Sequence, residues 1–263
     1  MLNIARITLK GIFRDRTFHG IGVIAILFLF IPVVASLSMR QVTELSMTLS
    51  LSLISFILLL LAVFLGGAAL WKDIERRYTF SVLALPLARR DYLLGKFFGI
   101  ALFLFLTVGL FCVVASLVVA YASGIYPSAR PLLWHYFYLA IFFDVLKYIL
   151  LVAIAFLFST ISTSFFLPVF GTIAIFLVGS ASQEAFDFLQ TRAGQDLPAL
   201  VQVAAKGLYY LLPNFTAFDL KINAVYGIPL PSSGLLLTLG YFIVYLAIVL
   251  MLATMIFSRR ELK

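Results

Sequence analysis

Asp144 and Lys147 place an acid and a base three residues apart inside one long apolar stretch, Tyr136–Phe158. That spacing puts both on one helical face. Charges in hydrocarbon are costly, so they turn to a bundle interior or a wet cavity and pair with each other. Two roles fit the pair. It stands on a substrate path or between subunits, or it neutralises itself and serves only structure; in an ion-driven transporter Asp144 would be the coupling carboxylate.

No other constellation has the spacing of a catalytic centre. Gly95-Lys96 is followed by Phe97 and lacks the preceding glycine, so no phosphate-cradling Gly-x-x-x-x-Gly-Lys-Ser/Thr loop is present and the chain is not expected to bind ATP itself. The two histidines, His19 and His135, are far apart and form no His-Glu-x-x-His zinc motif. They read as interfacial side chains. A Gly-x-Ser-x-Gly elbow is missing as well. Cys112, the single cysteine, lies in an apolar run and reads as a small buried hydrophobe. The chain is therefore not read as an enzyme, and no metal or cofactor is expected in it.

Long apolar elements must hold these residues. Apolar residues make up 63% of the chain and charged ones 11%, against roughly 45–50% and about 25% in soluble domains. That composition predicts an all-α polytopic membrane protein forming a single transmembrane domain over 1–263. A bilayer crossing takes roughly 20 apolar residues. Six stretches qualify: Phe18–Met39, Met47–Trp71, Phe97–Tyr121, Tyr136–Phe158, Phe165–Ala181 and Leu235–Phe257. The fifth is the shortest. The first is long and follows a structured-looking stretch containing Asp15, so it reads as a retained span rather than a cleaved leader.

Of nineteen Lys and Arg residues, thirteen fall in three islands: Met1–Thr17, Lys72–Lys96 and Ser258–Lys263. Under the positive-inside rule both termini and the 72–96 loop face the cytoplasm, which an even number of spans permits. The net charge of +8 flanks apolar spans, so it points to anionic lipid headgroups and orientation rather than to nucleic acid. In the first island Arg6, Lys10 and Arg14 line one stripe of a helix, with Ile4, Leu9 and Ile12 broadly opposite. This predicts an amphipathic helix over 1–17 lying in the membrane interface.

The 72–96 loop is charged at both ends and apolar between. Thr79–Leu85 predicts a short amphipathic helix stopped by Pro86, because the residue before proline leaves the helical region. An apolar helix held between charge clusters is built to dock on a partner. Across the membrane, 182–234 is the longest stretch outside the spans. Glu184–Thr191 and Pro198–Leu212 read as two short helices that lie on the outer surface or re-enter the membrane, which is allowed only where protein or water satisfies the backbone. Its aromatic residues suit an interfacial belt.

The run Asp-Ile-Glu-Arg-Arg-Tyr-Thr-Phe-Ser-Val-Leu-Ala-Leu-Pro-Leu-Ala-Arg-Arg-Asp-Tyr-Leu-Leu-Gly-Lys, 73–96, resembles the segment after the second span of ABC-2 type transporter permeases. The ending Phe257-Ser258-Arg259-Arg260-Glu261-Leu262 is similar to that family's usual tail. The resemblance implies an ABC-2 (type V exporter-like) architecture of six transmembrane helices, with the N-terminal helix as an elbow. It also implies partnership with ABC ATPase subunits, which bind ATP and Mg, and with a second permease copy or paralogue. The loop would supply a coupling helix. Asp73, Glu75, Arg76, Arg77, Thr79, Pro86, Arg89, Arg90 and Lys96 then become ATPase-coupling or support residues, none of them catalytic. The chain reads as a permease subunit of an exporter in a bacterial inner membrane. The alternatives are an ion-coupled secondary transporter, which would want internal repeats that are not visible between the two halves, and a sensor or assembly factor that docks through the loop.

Overall fold

A computed structural model of the chain describes residues 2–14, 41–75, 88–125 and 132–260, together with Gly20, Val23, Ile26, Phe30 and Val33 singly. The expected first span falls almost wholly outside the described residues. So do the Thr79–Leu85 helix, Arg76, Arg77, Thr79, Pro86 and the side chain of Glu75.

Every regular element among the described residues is helical. In chain order they are α1 (Leu2–Arg14), α2 (Val42–Glu75), α3 (Arg89–Ile125), α4 (Trp134–Ile161), α5 (Phe166–Leu189), α6 (Arg192–Gln195) and α7 (Ala199–Leu211). A 3-10 turn (Thr216–Phe218), α8 (Lys221–Tyr226) and α9 (Ser232–Arg259) follow. Five of these, α2, α3, α4, α5 and α9, are long and apolar enough to cross a membrane. Each runs past the apolar stretch that announces it, because helicity continues into the polar flanks. Asp73 and Glu75 thus belong to the end of α2, and Arg89, Arg90 and Lys96 to the start of α3. The 72–96 connection is correspondingly narrower than its charge pattern suggests.

One expectation is corrected outright. Glu184–Thr191 is not a separate short helix, since α5 continues through it to Leu189. No glycine or proline interrupts the polar stretch after Ala181, and Gln183 donates to Asp187 one turn on at 2.9 Å. The fifth span is therefore longer than its hydropathy implies, and the outer segment begins near Gln190. Pro168 occupies the first turn of α5, where a missing N–H leaves no gap in the helical ladder. The expected helix over Pro198–Leu212 is present as α7, with Pro198 and Leu212 as its flanking caps.

Around α4 the other spans gather. It packs against α2, α3, α5 and α9 and is the most buried of the five spans, whereas α9 is the least. Charges within a span turn to the bundle interior, so Asp144 and Lys147 suit α4 to the bundle centre. Between such helices packing and internal hydrogen bonds, rather than water exclusion, hold the bundle together in lipid. α1 lies along α3, stacking Phe13 edge-on against Phe103 at 5.1 Å. It keeps Arg6, Lys10 and Arg14 exposed, with Ile4, Leu9 and Ile12 against the core and Ile7 exposed. The approach is close at Gly99, where a Cβ would meet the Ala5 carbonyl oxygen and Thr8 Cβ, each at 2.9 Å.

The outer segment folds back on the bundle. α7 packs on α5, and the 3-10 turn and α8 pack on α4. Gly227 ends α8 at φ +64°, a left-handed cap that glycine takes at no steric cost.

Candidate functional site

The end of the bundle that carries Lys72, Arg89, Arg90, Lys96, Arg259 and Arg260 is laced together by its polar side chains. Asp73 on the last turns of α2 forms an ion pair with Lys96 of α3 and accepts from the Tyr92 hydroxyl. Lys96 also donates to the Ala69 carbonyl at 2.8 Å. Tyr92 and Lys96 stand one turn apart on α3, so both face the same carboxylate. The two helices that bracket the 76–87 segment are thereby closed on each other.

Two arginines extend the lacing. Arg89 Nη1 donates to the carbonyl oxygens of Ser258 at 3.1 Å and Arg260 at 2.8 Å, both at the end of α9. Arg260 in turn reaches the end of α4. Its Nη1 donates to Ser159 O at 3.1 Å and Thr160 O at 2.9 Å, and its Nη2 to Ser162 O at 2.8 Å. The last carbonyls of a helix have no partners within it and carry the negative end of its dipole, so a fork of N–H donors suits them. Partial burial lowers the Arg260 pKa from its ordinary value, and the guanidinium keeps its charge at neutral pH. Ser159 Oγ donates to Gly67 O at 3.1 Å and ties α4 to α2 at the same level.

A second polar cluster lies inside the bundle. Lys147 Nζ is 2.5 Å from Asp144 Oδ1 on the same face of α4, and both side chains are buried. Ser55 of α2 donates to Asp144 Oδ1 at 3.1 Å and shares a 2.8 Å contact with the Tyr148 hydroxyl. The Lys147 ammonium also sits 4.8 Å from the Tyr148 ring centre. Within this single chain the pair faces α2. The nearby pocket, between Leu51, Ile141, Asp144 and the Phe218–Lys221 stretch, is too tight to admit water. Among the described residues no three His, Cys, Asp or Glu side chains come together as a metal site.

A family model described as ABC-2 family transporter protein matches residues 2–262. The chain belongs to the ABC-2 transporter family. It is thus a multi-pass membrane component, a permease of an ABC transporter. No curated protein matches it.

In this ABC-2 permease the structure brings three of the residues expected at the coupling loop into one lacing. Asp73 and Lys96 pair directly, Arg89 caps α9, and Arg90 stays exposed beside it on α3. Arg6, Lys10 and Arg14 are exposed on α1, apart from that lacing. Asp144 and Lys147 form their own cluster. Sequence reasoning missed Tyr92, although it lies in the 73–96 run, and its spacing of four from Lys96 was a usable signal. Arg260 as a cap on α4 was also missed. A cation suits a helix end in general, but the tail gives no sign of which helix it serves. Ser55 had no signal at all, being one serine among several in α2.

Proposed function

We propose that the chain is the permease subunit of an ATP-driven exporter and couples to separate ATPase subunits through the segment after α2. The observation that carries this reading is the lacing around that segment. Both of its flanking helices are tied at their ends, to each other by Asp73 and Lys96 and to α9 by Arg89. A connection that merely joined two spans would need no such frame, whereas a docking element must transmit force without fraying.

ATP and Mg belong to the ATPase partners, and this chain contributes no catalytic residue. A second copy or a paralogue completes the translocation path. The basic end, with both termini, faces the cytoplasm of a bacterial inner membrane, since its cations outnumber those of the other loops. The first apolar stretch supplies the sixth span. α1 is the elbow, lying in the interface with Arg6, Lys10 and Arg14 toward lipid phosphates. Closure of the ATPases tilts the spans between inward-open and outward-open states.

The test is co-purification of the full-length chain with an ABC ATPase, with Asp73, Glu75, Arg76 and Arg77 intact or neutralised together. Binding and stimulated ATP hydrolysis should both be lost in the neutralised variant. If both are retained, the segment is not the coupling element.

A further inference from the structure

Arg89 and Arg260 are placed to do more than close off helix ends. Arg89 stands at the first residue of α3, directly beyond the segment proposed to meet the ATPase, yet its guanidinium grips the end of α9. Arg260 is the first residue past α9, and it grips the end of α4. The acceptor of one link is therefore the donor of the next.

Both links are made to main-chain carbonyls. A side-chain partner can swing away by changing rotamer, but a carbonyl at a helix end moves only with its helix. The planar, rigid guanidinium also holds three acceptors in a fixed array, which a lysine ammonium on a flexible stem does less well. Beside the first link the Tyr92 ring stacks on Phe257 at 6.3 Å, so α3 and α9 are also packed together at this level. The chain of contacts ends on α4, the most buried of the spans and the bearer of Asp144 and Lys147.

We propose that Arg89 and Arg260 form a two-step relay that carries displacement of the start of α3 through the end of α9 into α4. Arg260 is then a positioning residue for the transport cycle rather than a docking residue. The proposal rests on the ATPase-coupling reading above.

The test uses the complex of the full chain with its co-purifying ATPase in liposomes. In a Cys112→Ser background, spin labels at His135→Cys on α4 and Phe188→Cys on α5 report the distance between the far ends of these helices. With native arginines, trapping by ATP and vanadate should shift that distance. Arg260→Ala should keep the ATPase bound and nucleotide trapped while the shift is lost, and Arg260→Lys should restore part of it. An unchanged shift in Arg260→Ala overturns the relay, and so does release of the ATPase by that variant. Should Arg260→Ala fail to accumulate, Arg260→Lys decides: a reduced shift with the ATPase bound supports the relay, while a native shift or release of the ATPase overturns it. A chain with native arginines that binds no ATPase fails the coupling reading instead, and the pull-down registers this first.

Discussion

Lys147 reaches Asp144 at 2.5 Å across one turn of α4, and Ser55 of α2 holds the same carboxylate oxygen at 3.1 Å. The carboxylate is thus satisfied from its own helix and from its neighbour. A buried pair of this kind contributes little net stability while intact, but removing one partner strands the other charge.

Lys147→Ala should destabilise the bundle by about 3–5 kcal/mol. The double substitution Asp144→Asn with Lys147→Met should cost clearly less than Lys147→Ala alone. Denaturation of the purified protein in detergent or mixed micelles reads both. A double variant as unstable as the single one would show that the pair does not neutralise itself.

At the basic end the Asp73–Lys96 pair closes α2 on α3. A double-mutant cycle with Asp73→Asn and Lys96→Met should give a coupling energy of about 1–3 kcal/mol, because the side chains touch and share a network with Tyr92. Tyr92→Phe should lower that coupling by removing a donor to the carboxylate. Unfolding midpoints across the variants supply the measurement, and additive effects would contradict direct pairing.

Gly99 is where α1 comes closest to α3. A Cβ there meets backbone and side-chain atoms of α1 at 2.9 Å, so Gly99→Ala already forces a shift and Gly99→Leu should displace α1. The expected cost is about 1–3 kcal/mol for overpacking. Limited proteolysis after Arg6 and Lys10 should quicken in Gly99→Leu, whereas Gly109→Leu, which has open space around it, should leave the cleavage rate unchanged.

On the opposite end Asn214 organises the fold-back of the outer segment. Its Nδ2 donates to Gln183 at 2.7 Å, while its Oδ1 accepts from the Thr216 and Ala217 amides at 3.1 and 3.3 Å. Asn214→Ala removes both the tie to α5 and the side-chain acceptor of the first amides of the 3-10 turn. Hydrogen exchange should rise over 214–226 and stay native in α4; unchanged exchange in the turn would refute this role.

Much of the architecture was legible because the bilayer demands long apolar stretches, and α2, α3, α4, α5 and α9 all coincide with one. Where the reading slipped, polarity and helicity parted company. α5 keeps its hydrogen-bond ladder through Ser182, Gln183 and Glu184, which are polar but not helix breakers, so a hydropathy limit at Ala181 ended it early. The residues of the coupling region were legible as types, since Asp73, Arg89 and Lys96 stand out against apolar flanks. Their partners were not. Arg260 binds carbonyls of residues about a hundred positions earlier, and main-chain acceptors are the same in every sequence. Only the packing of α9 beside α4 makes them neighbours.

The parallel fit of α2 on α4 is pinned at more than one height. Ser55 meets Asp144 and Gly66 lies under Ala155, an offset of 89 residues in both cases. Further along, Ser159 binds the Gly67 carbonyl. Two helices pinned at separate heights cannot shear, since a slip of one residue would draw the pins about 1.5 Å out of line. They act as a single strut, so displacement that reaches α4 is shared by α2.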